Sequence, residues 1–122
     1  MGKTILVVDD SVGIRAAITM TLSSAGFDVI EADDGEAALI QLEKRRIHLI
    51  ISDLNMPGMD GMTLLRRVKA QQTTRYLPFI MLTTEDSDQI KREGFEAGAR
   101  VWLTKPFEPL KLLDNVYKVV QP

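Results

Sequence analysis

The chain alternates short, unbroken apolar runs with longer stretches in which apolar residues recur every third or fourth position. Four of the short runs are rich in β-branched or large residues: Ile5 to Val8, His48 to Ile51, Pro78 to Leu82 and Val101 to Leu103. Strands covered on both faces read this way, because neither side needs a polar residue. A weaker fifth run, Asp28 to Ala32, lies between the first two. Helical spacing fills the gaps. Val12, Ala16, Ala17, Met20 and Ser24 line one side of the first helical segment, with Ile14, Ile18 and Leu22 nearby. Glu36 to Arg45 carries Ala38, Leu39 and Leu42, and Met62 to Ala70 carries Leu64, Leu65 and Val68. Pro109 to Val120 places Leu110, Leu113, Val116, Val119 and Val120 on one stripe. Asp88 to Ala97 is the poorest helix, with Ile90, Ala97 and few other apolar positions, and is expected to be the most mobile.

Strands and helices therefore alternate as βαβαβαβαβα, at lengths suited to right-handed crossovers and a parallel sheet. The pattern uses up residues 1 to 122 as one domain and leaves no repeat, linker or low-complexity tract. Gly26 and Gly98 stand where helices should stop, and Asp33 or Asp34 is placed to cap the second helix.

Composition narrows the function classes. At 122 residues, with 45% hydrophobic and 26% charged residues, the chain has the balance of an ordinary globular domain. A net charge of -2 offers no electrostatic case for nucleic acid or an anionic membrane. The absence of cysteine removes disulfides, thiolate catalysis and sulfur-ligated zinc. The apolar run that follows Met1 ends at Asp9, too short for a signal peptide or a membrane span, so a cytoplasmic protein is expected.

The strand ends carry the chemistry. The first ends Val8-Asp9-Asp10, the third Ile51-Ser52-Asp53, the fourth Leu82-Thr83-Thr84 and the fifth Leu103-Thr104-Lys105. In a parallel sheet all carboxyl ends share one edge, so three carboxylates, a hydroxyl and an ammonium should meet on one rim, where open α/β sheets bind ligands. Crowded carboxylates repel one another unless a cation is present. Magnesium suits hard oxygens, takes few protein ligands and keeps waters for a phosphorylated partner. Asp10, Asp53 and a backbone carbonyl of the next loop could supply the protein's share, and an aspartyl carboxylate can attack a phosphoryl donor to form an acyl phosphate. Lys105 and Thr83 could then hold phosphoryl oxygens.

Each residue also has a plainer reading. Asp10 beside Ser11 could cap a helix, Lys105 before Pro106 could be a solvated loop lysine, and Thr83-Thr84 could simply end a strand. Taken together, the plain readings require every one of these groups to have reached the same rim by accident. His48 begins a strand far from the rim and reads as structural. Met56, Met59 and Met62 read as loop and core filling, and Lys44-Arg45-Arg46 as cations at a helix end.

The segments "ILVVDDS" (5 to 11), "ISDLNMPGMDG" (51 to 61), "LTT" (82 to 84) and "LTKPF" (103 to 107) resemble the receiver domain of two-component response regulators, over nearly the whole chain. The resemblance implies a flavodoxin-like, CheY-like (βα)5 three-layer sandwich with strand order 2-1-3-4-5, which places the crevice between the first and third strands. It also implies that Asp53 is the phosphoacceptor and Asp10 a direct magnesium ligand. Asp9 then stands one step behind the ion, and the backbone carbonyl of Asn55 completes the set. Thr83 and Lys105 match the family's hydroxyl and lysine, and the Lys105-Pro106 bond is expected to be cis. Trp102 stands where the family commonly has a Tyr or Phe that turns inward on phosphorylation. Asn55 and Glu85 flank the position from which water would attack the acyl phosphate.

No output domain follows the fifth helix in these 122 residues, so output by protein contact is expected. The resemblance implies a monomeric CheY-like regulator, phosphorylated by a CheA-like histidine kinase and binding an output protein such as the flagellar motor switch through the face of the fourth helix, fifth strand and fifth helix. Other readings are a phosphate sink, a relay intermediate, or a receiver excised from a longer regulator. A magnesium-dependent phosphatase of the haloacid dehalogenase type would carry an acid/base Asp two residues after the nucleophile, where this chain has Asn55. A flavin-binding module would need a hydroxyl- and glycine-rich loop after the first strand, and Asp9-Asp10-Ser11 has the wrong charge.

Overall fold

The computed structural model describes residues 2–121. Ten elements alternate without exception: β1 (Thr4–Val8), α1 (Val12–Ser24), β2 (Asp28–Ala32), α2 (Gly35–Lys44), β3 (Leu49–Ser52), α3 (Gly61–Ala70), β4 (Phe79–Thr83), α4 (Asp88–Ala97), β5 (Val101–Thr104) and α5 (Pro109–Val119). The five strands form one parallel sheet in the order β2-β1-β3-β4-β5. This is the CheY-like flavodoxin architecture, with its crevice between β1 and β3.

Strand alternation builds two cores. Leu6, Val8, Ile50, Phe79 and Met81 face α2, α3 and α4, while Ile5, Val7, Leu49, Ile51, Ile80 and Leu82 face α1 and α5. The central strands β1, β3 and β4 are buried on both faces, which is why their sequences are continuous runs and not alternating ones. Burying one such aliphatic side chain is worth about 1.5–3 kcal/mol. β2 lies at the sheet edge, and its exposed Asp28 and Glu31 account for its weaker signal.

One helix buries a different side from the one its spacing predicts, and α5 keeps its predicted stripe of Leu113, Val116, Val119 and Val120 against the core but exchanges one leucine for another. In α1 the sheet takes Ile18 and Leu22, with Ile14 packed beside them, and leaves Val12 72% and Met20 71% exposed. The helix carries two apolar stripes, and the one with larger residues goes inside. In α5, Leu112 and Val116 are buried, whereas Leu110 is 80% exposed. Leu110 and Leu112 are two residues apart, about 200° around a helix, so burying one exposes the other.

The caps follow local chemistry. Ser11, Asp34, Asp60 and Ser87 each accept a backbone N–H from the first turn of α1, α2, α3 and α4. α4 buries only Gly94 fully, yet it is closed at both ends, because Gly98 adopts a left-handed conformation and its N–H reaches back to the carbonyls of Gly94 and Phe95.

His48 lies at the edge opposite the strand ends, where the backbone N–H of Thr4 donates to Nδ1 at 3.0 Å and ties β1 to β3. Burial, and the positive charges of Lys3 and Arg46, lower its pKa from the usual 6.5. The folded chain therefore binds fewer protons here than the unfolded one. The stabilisation is complete above about pH 6.5 and is lost as pH falls through the lower folded value. Urea midpoints compared between about pH 7 and pH 5 should fall more steeply for the parent than for His48→Asn; equal slopes would dismiss the histidine as an acid-sensitive tie.

Candidate functional site

Backbone pairing continues one residue past β1, β3 and β5 and fixes the rim. The N–H of Asp9 donates to the Ala32 carbonyl at 3.1 Å, that of Asp53 to Val8 at 2.9 Å, and that of Lys105 to Thr83 at 2.8 Å. Asp53 thus stands beside Asp9, because Ser52 pairs with Val8 in the residue before. The four predicted strand ends do meet.

Asp9, Asp10 and Asp53 each offer a carboxylate oxygen, all within 4.8 Å of one another. Asp9 and Asp53 are buried and Asp10 is exposed. The Lys105 ammonium enters between the two buried ones, 2.7 Å from Asp9 Oδ2 and 3.1 Å from Asp53 Oδ2. Burial alone would lower the Lys105 pKa, but the bond to Asp9 and the charges of Asp53 and Asp9 outweigh it and the net shift is upward. The remaining oxygens are also engaged: Asp9 Oδ1 accepts the Ser11 N–H at 2.9 Å, and Asp53 Oδ1 accepts the Leu54 N–H at 2.7 Å. Among the described residues, no side-chain hydrogen bond or ion pair holds the Asp10 carboxylate. It is the member of the cluster left free for a ligand.

The loop after β3 wraps tightly around Asp53. Gly61 N–H donates to the Leu54 carbonyl at 2.7 Å, and Asp60 caps α3. A Cβ on Gly61 would lie 2.1 Å from the Asp53 carbonyl oxygen, so the start of α3 can approach the acidic residue only as glycine. Met56 and Met62 are buried in the core beneath the loop, and Met59 packs against Gly35. Asn55 is exposed and lines a groove with Glu85 between α3 and α4.

Thr83 is fully buried, and its Oγ1 accepts the N–H of Glu85 at 3.3 Å. The Glu85 carbonyl in turn accepts the indole N–H of Trp102 at 2.9 Å. The indole rests on α4 where Gly94 has no side chain; a Cβ there would come within 2.6 Å of the ring. The Lys105-Pro106 peptide is cis.

Residues 5–117 match the family model described as "Response regulator receiver domain". The chain belongs to that family. This receiver domain is 42% identical to the chemotaxis response regulator CheY4 of Vibrio cholerae, with a TM-score of 0.94 over 98% of this chain and all of that one. The chemotaxis protein CheY-3 of Vibrio cholerae is 35% identical over 96% of this chain and 91% of its own length. The phosphate regulon transcriptional regulatory protein PhoB of Pseudomonas aeruginosa is 38% identical over 99% of this chain, but the match covers only 53% of PhoB. The chain thus spans about half the length of the first such relatives and nearly all of others. The receiver domain of sensor histidine kinase PA1611 from Pseudomonas aeruginosa PAO1, described with a magnesium ion coordinated in its active site cleft, aligns with a TM-score of 0.89 at 29% identity, over 98% of each chain.

Receiver domains bind magnesium through an acidic pocket, and the Asp9, Asp10 and Asp53 cluster has the hard oxygen donors such an ion takes. One contributor is absent from the sequence-level site: Arg15, whose Nη1 donates to the Asp9 carbonyl at 2.6 Å. It lies six residues from Asp9 and meets it only because α1 turns back over the end of β1. Gly61 was likewise visible only as part of a turn motif. Gly61→Ala should lower stability by about 1–3 kcal/mol through the forced shift of the Asp53 backbone. An unchanged urea midpoint would show that the loop has room the geometry denies it.

Proposed function

We propose that this receiver is a phosphorylation switch in which Asp53 takes a phosphoryl group from the phosphohistidine of a histidine kinase. The observation that carries the reading is the setting of the Asp53 carboxylate. It stands at the rim beside Asp9 and Asp10, with the Lys105 ammonium 3.1 Å away and the buried Thr83 at the end of the adjoining strand.

In the proposed step a carboxylate oxygen of Asp53 attacks phosphorus, the P–N bond breaks, and its electron pair stays on the imidazole nitrogen. An acyl phosphate remains on Asp53. A magnesium ion held by Asp10, Asp53 and the Asn55 backbone carbonyl would offset the charge gathered on the phosphoryl oxygens. The exposed Asp10 carboxylate, which holds no side-chain partner among the described residues, supports placing Asp10 against the metal. Lys105 exchanges a carboxylate partner for a phosphoryl oxygen, and the Thr83 hydroxyl donates to another. Exposed apolar residues beside the rim, Val12, Ala16, Ala17 and Met20 of α1, favour a protein as the donor over a small molecule.

Movement of Thr83 reaches Glu85 through its N–H and Trp102 through the Glu85 carbonyl. That chain of contacts leads to the α4-β5-α5 face, where we place the binding of an output protein. Coupling of this sort is typically worth ~1–3 kcal/mol, enough to shift populations between two states. Asn55 and Glu85, which line the same groove, set the access of water and hence the lifetime of the acyl phosphate. The likeness to two CheY proteins over nearly their full lengths supports a cytoplasmic chemotaxis regulator with a CheA-like donor and the flagellar motor switch as output. The match to PhoB supports the second reading, the receiver of a longer regulator.

Intact mass after incubation with a small acyl phosphate donor should show one added phosphoryl group on the parent, only with magnesium present, and none on Asp53→Asn. Label retained by Asp53→Asn would move the acceptor elsewhere. Asp10→Ala should raise the magnesium concentration needed for half-maximal labelling by at least about 10-fold. An unchanged requirement would take Asp10 off the metal.

A further inference from the structure

Arg15 touches the acidic cluster from behind, through the backbone. It belongs to the start of α1, where its own N–H donates to the Ser11 carbonyl at 2.9 Å. Its side chain is 15% exposed and lies along the end of the sheet. Nη1 donates to the Asp9 carbonyl at 2.6 Å, and Nε to Glu31 Oε1 on β2 at 2.8 Å. The guanidinium fork therefore joins α1, the end of β1 and the edge strand.

The Asp9 carbonyl is the oxygen of the peptide unit that leads into Asp10. The unit before it is held by the Asp9 N–H on Ala32, and the unit after Asp10 is held by the Ser11 N–H on Asp9 Oδ1 at 2.9 Å. Arg15 supplies the remaining tie. With all three in place the backbone on both sides of Asp10 is fixed, although the Asp10 carboxylate itself is free and exposed. Rigidity of that kind matters to one ion more than another. Magnesium demands near-ideal octahedral geometry at short distances, whereas calcium accepts longer bonds and irregular arrangements.

We infer that Arg15 is a positioning residue for the magnesium site: it orients the Asp9-Asp10 peptide and with it the Asp10 carboxylate that would hold the ion, with Glu31 aligning the fork and compensating its charge. The inference rests on the reading of Asp10 as a metal ligand. It also predicts a sign that electrostatics alone reverses. A cation near a metal site opposes metal binding, so a guanidinium acting only as a charge would, on removal, leave the site tighter for magnesium and calcium alike. A guanidinium acting by orientation would, on removal, leave it looser, and looser for magnesium above all.

Calorimetric titration of the parent, Arg15→Gln and Arg15→Lys with magnesium and separately with calcium distinguishes these. Arg15→Gln should bind magnesium roughly 10-fold more weakly, as loss of a partner that orients a ligand does, while calcium affinity changes by less than about 3-fold. Arg15→Lys keeps the charge but cannot bond Asp9 and Glu31 with one planar fork, so it should show the same selective loss in smaller measure, and it carries the test alone should Arg15→Gln fail to fold. Unchanged or tighter magnesium binding, or equal losses for both ions, would overturn the positioning role. Failure of the parent chain to bind magnesium at all would overturn the metal reading, and this inference with it.

Discussion

Repulsion among carboxylates at the end of a buried sheet is the constraint around which this receiver is built. Asp9 and Asp53 are brought side by side by strand pairing and cannot move apart, because their backbones are bonded into the ladder. A single ammonium, from Lys105, lies between them. A buried ion pair adds little net stability by itself, yet removal of one partner strands the other charge in a poor medium. The lysine can leave these carboxylates only when another cation or a change of charge on Asp53 replaces it.

Much of this was legible in the chain. The strands were readable because doubly covered strands need no polar positions, and the rim was readable because a parallel sheet sends every strand end the same way. Helix faces were less so. α1 is apolar on two sides, and only packing against β1 and β2 decides that Ile18 and Leu22 go inside while Val12 and Met20 stay out. Leu110 and Leu112 compete in the same way at the start of α5. Arg15 escaped a reading by strand ends because it acts on a backbone carbonyl, and a main-chain acceptor leaves no mark on residue identity. Gly94 escaped because its purpose is the space it leaves for Trp102, two elements of contact that spacing cannot bring together.

The relatives of this receiver carry names as different as a phosphate regulon regulator and a chemotaxis protein. Physical separation explains this. The acidic cluster, Thr83 and Lys105 sit at the sheet edge, whereas the exposed sides of α4, β5 and α5 contribute nothing to that cluster and can vary without disturbing it. Few atoms span the space between the two regions: the Thr83 hydroxyl accepts the Glu85 N–H, and the Glu85 carbonyl accepts the Trp102 indole N–H.

Trp102 is the only tryptophan in the 122 residues. Its indole is half-buried against a bare stretch of helix, with its one polar atom bonded to the carbonyl of Glu85, the residue whose N–H donates to Thr83. A chromophore in that position senses solvent on one side and the β4–α4 segment on the other. The molecule therefore carries its own optical gauge: any change in the β4–α4 segment that alters the burial or bonding of the indole alters its ultraviolet emission, with no attached dye.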